Sequence, residues 1–292
     1  MENLTSSNLE SLRAAFVSKK ARPISELPEC HKGSEPDAKA LILSNGSECK
    51  EAEKDPIASK YVREYMDGKD FREVEFCWCL WLKDSTPEER ENSKFLKARV
   101  EASKVERSDE EAPQSPWLFG SMRQPDYDYL ALPAMFSEKS SYFPAAFLNK
   151  DVIAGSTLYA VSDPDCFAFS VIETSMFTAW QDLAGGKLET LRIFSSSLVW
   201  NTFPLPTLTK EQKALIIEGG KKVLDARAGH PGSSLADLYN PDSMPKDLKK
   251  AHEELDKVMD SIFSDKPFES EEERQKALLE SYRKMTGEKE GE

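Results

Sequence analysis

Residues 166–184 carry the hydrophobic pattern that most constrains how this chain folds. Six apolar residues recur there at spacings of three and four: Phe169, Ile172, Met176, Ala179, Trp180 and Leu183. This spacing places them on one face of a single amphipathic helix, which the pair Gly185 and Gly186 is expected to end. A face of this kind is usually buried, so we interpret the stripe as packing core and not as a cofactor site.

Short apolar runs surround this helix within the block of residues 126–206. They predict strands over residues 129–135, 141–147 and 157–161, separated by polar turn residues. A further run, VEFCWCLWL at residues 74–82, is apolar on both faces and predicts a buried strand. We therefore predict an α+β fold in which a small mixed or antiparallel sheet is flanked by helices.

The chain before this block is expected to be mostly helical and irregular. Residues 1–20 predict a short amphipathic helix, and the proline-containing residues 22–59 predict a connector with one short strand. Residues 57–68 predict a helix that ends at Gly68, and residues 87–107 predict a polar helix.

The chain after residue 206 is expected to be helical throughout. Thr209 with Gln212, and Ser270 with Glu273, have the spacing of capping boxes at helix starts. Pro245 is typical of the first turn of a helix. We therefore divide the chain into an N-terminal helix and connector (residues 1–55), a binding domain (residues 56–206) and a C-terminal helical domain (residues 207–292).

Charge and composition limit the function classes. The 292 residues include 52 acidic and 39 basic ones, for a net charge of −13, which argues against a generally basic nucleic-acid-binding surface. A local groove could still carry the needed charge. No apolar run approaches the ~18 residues of a membrane span, and the start of the chain does not resemble a secretory signal. The five scattered cysteines fit a reducing compartment, so we expect a cytoplasmic protein without a membrane partner.

Catalytic motifs are absent from the sequence. It contains no GxGxxG, no phosphate-binding GxxxxGK[ST] and no GxSxG nucleophile motif. The one-residue spacing of Cys77 and Cys79 fits buried strand cysteines better than half of a zinc site. We therefore predict neither a catalytic residue, nor a metal site, nor a cofactor within these residues.

Polar residues in the turns of the central block are the best binding candidates. Loops on a rigid scaffold often carry recognition residues, and Arg and Gln can read guanine and adenine edges while Lys and Ser reach phosphates. Each residue taken singly is more typical of an ordinary surface than of a binding site. The candidates for DNA contact are Arg123, Gln124, Ser137, Glu138, Lys139, Tyr142, Lys187 and Arg192, with Ser140 and Lys150 as further polar turn residues.

Nine segments, weak singly, together resemble a known family over residues 22–286. They are RPISELPE (22–29), KYVREYMDGKDF (60–71), CWCLWLKD (77–84), LPAMFSEKSSYFPAAFL (132–148), SMFTAWQDLAGGK (175–187), NTFPLP (201–206), VLDAR (223–227), SSLADLYNPDSMP (233–245) and LKKAHEELDKVMD (248–260). In this order they resemble the C-terminal part of MmeI-like enzymes. Those single-chain restriction–modification proteins join an endonuclease, an adenine-specific DNA methyltransferase and a target-recognition domain.

The resemblance implies specificity and not chemistry for these residues. The family's S-adenosylmethionine loop, its NPPY-type tetrapeptide and its nuclease motif are not found in this sequence. The parent enzyme is expected to use S-adenosylmethionine, and Mg²⁺ if it has a nuclease. We expect duplex DNA as partner, with a methyltransferase catalytic domain in cis or in trans.

A departure from the family pattern keeps other interpretations open. The family's basic, tyrosine-containing segment after the long helix is replaced here by KLETLRIFSSS (187–197), which could alter backbone contact. The alternatives are a protein–protein scaffold, or a specificity subunit that acts with a separate methyltransferase subunit.

Overall fold

The structure, a computed structural model, describes residues 17–73, 77–107 and 115–287. The chain divides into two compact units. The larger unit consists of residues 1–31, 129–147 and 161–292, and the smaller unit of residues 32–128 and 148–160. The helix predicted within residues 1–20 lies almost wholly outside the described residues.

Short strands and mostly short helices alternate along the described ranges. The strands are β1 (Cys30–Lys32), β2 (Ile42–Leu43), β3 (Val62–Met66), β4 (Cys77–Leu80), β5 (Tyr129–Pro133), β6 (Met135–Ser137), β7 (Ala146–Leu148), β8 (Ile153–Ala154), β9 (Leu158–Val161), β10 (Gly186–Leu188) and β11 (Leu191–Ile193). The helices are α1 (Gly46–Lys54), α2 (Gly68–Glu73), α3 (Pro87–Asn92), α4 (Lys94–Glu106), α5 (Phe167–Ile172), α6 (Ser175–Ala184), α7 (Lys210–Ala228), α8 (Leu235–Leu238), α9 (Lys246–Phe263) and α10 (Glu271–Thr286). This mixture has the predicted α+β class.

The smaller unit is built on a four-stranded sheet in the order β2-β4-β3-β8. Its pairings are antiparallel except for β3 with β8, which is parallel. The predicted strand at residues 74–82 is observed as β4, whose Cys79 and Leu80 are fully buried. Residues 74–76 of that prediction lie outside the described residues. Strands β1, β5, β7 and β9 lie where the chain passes from one unit to the other.

The helix predicted over residues 57–68 is wrong. A 3₁₀ helix, Ala58–Tyr61, is followed by strand β3. The spacing of Tyr61, Val62 and Tyr65 also suits a helix, but branched and aromatic residues favour strands. Tertiary pairing decides the outcome, because Val62 pairs with Leu80 and Tyr65 pairs with Ile153.

The polar helix predicted over residues 87–107 is divided at Ser93. Thr86 and Glu89 form a capping box that begins α3. Ser93 ends α3 and its hydroxyl then accepts from Leu96 N at the start of α4. The same hydroxyl donates to Asp55 Oδ2 at 2.6 Å, so a long-range contact fixes the break.

The single helix predicted over residues 166–184 is likewise two helices. Residues 173 and 174 separate α5 from α6, and Thr174 accepts from Phe177 N as the cap of α6. The carbonyl of Glu173 accepts instead from His252 Nδ1 at 3.0 Å. The backbone of Thr174 is extended, with φ −107° and ψ 152°, so this bond lies at the break between the two helices. The stripe itself is core, as predicted, since all six of its residues are buried.

The Gly185–Gly186 pair does more than end a helix. Gly186 begins the antiparallel hairpin of β10 and β11, which was not predicted from the sequence, and β6 adds a third strand in the order β10-β11-β6. The strand predicted over residues 141–147 is observed only at its end, as β7.

The C-terminal helices form where they were predicted. Thr209 and Gln212 make the expected capping box, and Ser270 caps α10 through Glu273 N. Helix α7 packs tightly on its neighbours through two glycines. A Cβ on Gly219 would lie 2.8 Å from Leu255 Cδ1 of α9, and one on Gly220 would lie 1.9 Å from Ser170 Oγ of α5. None of the helices in the described part is long and apolar enough to cross a membrane.

Candidate functional site

Two turns of the larger unit project together at one end of its three-stranded sheet. In the sheet, Lys187 pairs with Arg192, and Leu191 pairs with Ser137. The turn after β6 and the tip of the β10–β11 hairpin are therefore neighbours. Glu138 N donates to Thr190 O at 2.9 Å and joins the two turns. We call residues 137–139 and 187–190 the hairpin edge.

The hairpin edge presents polar groups and one large apolar side chain to solvent. Ser137, Lys139, Lys187 and Glu189 are exposed. Leu188 keeps 55% of its surface exposed, although leucine is usually buried. Glu189 has a positive φ of 51°, the left-handed conformation that closes the tip. An exposed mixture of donors, acceptors and an apolar group suits a recognition surface.

Arg192 holds the hairpin edge from beneath. Its Nε and Nη2 donate to the two carboxylate oxygens of Asp182 at 2.7 and 2.6 Å, and Nη1 donates to Ser140 O at 2.7 Å. A weaker contact joins Nη1 to Ser137 O at 3.3 Å. The fork of an arginine side chain matches a carboxylate in this two-bond geometry. Helix α6, which carries Asp182, thus fixes both turns through one side chain.

The remaining candidate at this edge, Lys187, is only loosely held. Its Nζ lies 3.6 Å from an oxygen of Asp182, and its side chain is 52% exposed. Because the carboxylate of Asp182 is already paired with Arg192, the ammonium group of Lys187 stays available to solvent or a ligand.

Tyr142 is buried directly after this edge. Its ring stacks on the imidazole of His252, with centroids 3.8 Å apart and an interplanar angle of 22°. Its hydroxyl donates to Asp256 Oδ2 at 3.1 Å. Burial first, and then the charge of Asp256, raise the pKa of Tyr142. The hydroxyl is therefore a hydrogen-bond donor inside the protein.

A buried polar cluster continues from this contact. Glu173 pairs with Arg227 at 2.5 Å, and the Tyr239 hydroxyl lies 2.8 Å from Glu173 Oε2 and 2.9 Å from His252 Nε2. Burial raises the pKa of Glu173 even though Arg227 opposes this shift. Burial, followed by the charge of Arg227, lowers the pKa of His252 to about 3. The imidazole is therefore neutral and donates its Nδ1 proton to Glu173 O.

Two further candidates belong to the smaller unit. The Gln124 amide nitrogen donates to Lys150 O and Val152 O at 2.8 and 2.7 Å, while its oxygen accepts from Ala154 N at 3.1 Å. This side chain braces the loop before β8. The side chain of Arg123 is exposed, and its backbone N donates to Ser34 Oγ.

Nucleophilic and metal-binding chemistry finds little support in the structure. Among the described residues, no group of three or more His, Cys, Asp or Glu is placed to hold a metal ion. Burial, followed by the charge of Asp70, raises the pKa of Cys77 to about 12, so its thiol stays protonated. The pKa of Cys79 is also raised by burial. These thiols behave as core residues.

Several residues of this arrangement were not predicted from the sequence. Asp182 and His252 have no motif around them, and Asp256 lies on a helix beside other acidic residues. Leu188, Glu189 and Thr190 lay in a segment with no predicted element. The only local signal was the Gly185–Gly186 pair followed by the alternating residues 187–193, a pattern that a hairpin can produce.

Comparison with known proteins assigns both parts of the chain. A family model described as "MmeI, target recognition domain" matches residues 11–207, and one described as "MmeI, C-terminal domain" matches residues 208–289. The resemblance seen in the sequence is thereby confirmed.

Two relatives agree with the family models. DNA methyltransferase A of Bacillus subtilis (strain 168) is 30% identical over 278 residues, which are 93% of this chain and 32% of the relative. The solved structure of the Type IIL restriction–modification enzyme MmeI in complex with DNA matches with a TM-score of 0.89 and 32% identity. That match covers 94% of this chain and 37% of the MmeI chain. This chain thus spans about a third of the length of both relatives, and it belongs to the MmeI family, with the target recognition domain of that family followed by its C-terminal domain.

Proposed function

We propose that this chain selects the DNA sequence on which a site-specific, adenine-specific DNA methyltransferase of a restriction–modification system acts. The observation that carries this proposal is the match, over 94% of this chain, to the structure of MmeI in complex with DNA. The division into a binding domain that ends near residue 206 and a helical domain after it belongs to the same proposal. Methyl transfer, and any DNA cleavage, would be performed by other parts of the parent enzyme.

The hairpin edge is the surface we assign to base reading. A two-stranded ribbon fits the major groove of B-DNA, where each base pair presents a distinct pattern of donors and acceptors. Glu138 can accept from the amino group of cytosine, and Lys139 can donate to guanine. Lys187 suits a phosphate, since its ammonium group is exposed beside the hairpin tip.

The other predicted contacts take supporting roles in this proposal. Arg192 and Tyr142 direct their polar groups to Asp182 and Asp256, so they hold the edge. Gln124 supports residues 150–154 in the same way. Arg123 is exposed and is proposed as a separate contact to the DNA backbone.

S-adenosylmethionine would supply the methyl group for adenine N6. It would bind to the catalytic domain, because the sequence described above has no glycine-rich loop to hold it. The task of this chain is then to place the target base pair so that the adenine can leave the stack.

Salt-dependent binding of duplex DNA tests the proposal. The chain would be used to enrich sequences from a random duplex library, and its affinity for the enriched duplex would be measured against salt concentration. Each phosphate contact contributes a slope of about −0.9 in log affinity against log salt. Charge reversal by Lys139→Glu and Lys187→Glu is expected to weaken binding at least about ten-fold and to flatten that slope.

A matched pair of lysines provides the control. Lys266 and Lys276 are also exposed, but Lys266 precedes α10 and Lys276 lies on that helix. The double substitution Lys266→Glu and Lys276→Glu changes the net charge by the same amount. If both double variants weaken binding equally, the effect is one of overall charge and the hairpin edge is not the DNA surface.

The net charge of −13 favours a second candidate, a specificity subunit or scaffold that binds DNA only with a separate methyltransferase subunit. The chain alone would then enrich no sequence. Binding would instead appear on addition of the catalytic subunit, which distinguishes action in trans from action in cis.

A further inference from the structure

The turn that begins the hairpin edge is held from two sides. On one side, Ser140 O accepts from Arg192 at 2.7 Å. On the other side, Ser140 Oγ donates to Tyr142 O at 2.7 Å, which ties the turn to the backbone of the buried Tyr142. Any displacement of Tyr142 would therefore be passed to residues 137–139, only a few positions away.

Tyr142 is itself held by residues of α9, a helix of the C-terminal domain. His252 stacks on its ring, and Asp256 Oδ2 accepts from its hydroxyl at 3.1 Å. These two residues are separated by one helical turn, so they present one continuous face to the tyrosine.

Asp256 also holds the helix that supports the other side of the edge. Its Oδ1 accepts from Ser175 N at 2.7 Å, and its Oδ2 accepts from Ser175 Oγ at 2.6 Å. Ser175 begins α6, and Asp182 near the end of α6 binds Arg192. A single carboxylate of the C-terminal domain thus joins both supports of the hairpin edge.

We infer that Asp256 and His252 are positioning residues, through which the C-terminal domain fixes the geometry of the base-reading turn and so contributes to sequence specificity. A recognition residue has to be held within about 0.5 Å of its productive place by contacts of this kind. The inference rests on the proposed function, since it assigns the specificity to the same edge.

Tyr142→Phe is the sharpest variant. It removes the hydroxyl that Asp256 accepts and leaves the ring stacked on His252. Asp256→Asn is the second variant, which keeps the size of the side chain but replaces an acceptor oxygen by a donor.

Ser281→Ala is the matched control. Ser281 Oγ donates to Pro204 O at 2.7 Å. This bond also joins the C-terminal domain to the target recognition domain, but it has no link to the hairpin edge.

Two quantities would be measured on the whole 292-residue chain. The first is the ratio of affinities for the duplex enriched from a random library and for a shuffled duplex of equal composition. The second is the amide hydrogen exchange of residues 137–141. Thermal unfolding of each variant supplies the stability against which both are compared.

Positioning predicts that Tyr142→Phe and Asp256→Asn lower the affinity ratio about ten-fold or more and accelerate exchange at residues 137–141. Ser281→Ala should change neither quantity, even where its loss of thermal stability is similar. Equal loss of affinity for both duplexes, or unchanged exchange in the turn, would overturn the inference.

Failure of the proposed function has a different signature. In that case the unsubstituted chain enriches no sequence, alone or with a catalytic subunit. Hydrogen exchange at residues 137–141 would still decide whether Asp256 holds the turn. Unchanged exchange in both variants would then reject the positioning role as well.

Discussion

Asp182 and Arg192 form two parallel hydrogen bonds, 2.7 and 2.6 Å long, at the base of the hairpin edge. Both side chains are largely buried. A buried ion pair adds little net stability compared with apolar residues of equal size, but it specifies one arrangement of the chain. Here it fixes where β11 lies against the end of α6. The pair therefore decides the position of the residues we assign to DNA recognition.

Loss of Arg192 should destabilise the fold, because it leaves the buried carboxylate of Asp182 without the guanidinium group that binds it. We predict that Arg192→Met lowers the free energy of unfolding by about 3 kcal/mol or more, measured by urea denaturation. Lys187→Met is the control, since Lys187 contacts the same Asp182 but is mostly exposed, and it should change the value by less than about 1 kcal/mol. Similar losses in both variants would show that the buried fork of Arg192 has no special role.

The close approach of α7 and α5 gives a second prediction. A Cβ on Gly220 would lie 1.9 Å from Ser170 Oγ and 2.9 Å from Ser170 Cα, so the helices would have to separate. Gly220→Ala should therefore destabilise the chain by about 1–3 kcal/mol in thermal or urea unfolding.

Gly46→Ala is the matched control for this substitution. Gly46 begins α1, and nothing lies within 4 Å of the place that a Cβ would take, so alanine should be neutral or stabilise by up to about 1 kcal/mol. A Gly220→Ala variant as stable as Gly46→Ala would mean that α5 and α7 are not in close contact.

Burial of His252 predicts a loss of stability in acid. Its pKa falls from 6.5 to about 3 in the folded chain, so between these values the unfolded chain binds a proton that the folded chain does not. Stability is thus fully present above the unfolded value and is lost as the pH falls. At about pH 5 the loss from this group should be about 2 kcal/mol relative to pH 7.

Other ionisable groups lie around His252 and also affect the pH dependence of stability. The unsubstituted chain therefore has to be compared with a variant that lacks the imidazole. The ring of His252 contacts Glu173, Tyr239 and Tyr142, and the charge of Arg227 also acts on it. Asp256 lies close by, since it accepts from the hydroxyl of the same Tyr142. The raised pKa values of Glu173 and Asp256 act with the opposite sign, because their protonated forms favour the folded chain. In His252→Gln the two carboxyls remain, so urea unfolding should show a smaller loss of stability between about pH 7 and pH 5. An identical loss in both proteins would contradict a neutral buried imidazole.

The C-terminal helices were predictable because their signals are local. Thr209 with Gln212 and Ser270 with Glu273 each mark a helix start within four residues. The break between α5 and α6 has no such local signal, and the carbonyl at the break bonds to His252, which lies 79 residues from Glu173. The helix prediction that began at residue 57 was wrong for a similar reason. The residues there suit a helix as well as a strand, and pairing with β4 and β8 makes residues 62–66 a strand.

The same physical reasons decide which properties of the candidate contacts could be expected from the sequence. Lys139 lies in a turn, and Lys187 lies on β10 close to the hairpin tip. Polar residues mark both segments in the sequence, so the exposure of these two side chains could be expected. The sequence pattern suggested Arg192 and Tyr142 as DNA contacts, but their burial depends on Asp182 and Asp256. Neither partner can be identified from local sequence, because each lies on another element of the fold.

Leu188 offers a test of the recognition surface that leaves the fold nearly unchanged. It lies at the tip of the hairpin with 55% of its surface exposed, so truncation should alter the free energy of unfolding by no more than about 0.5 kcal/mol. An apolar group at this place can contact the methyl group of thymine in the major groove. Leu188→Ala should therefore lower affinity for the enriched duplex about five-fold and leave affinity for a shuffled duplex nearly unchanged. Leu215→Ala is the control, because Leu215 is similarly exposed, at 53%, but lies on α7 and not on the hairpin edge. If fluorescence anisotropy shows the two leucine variants binding alike, Leu188 does not contact the bases, and the hairpin tip must be removed from the proposed interface.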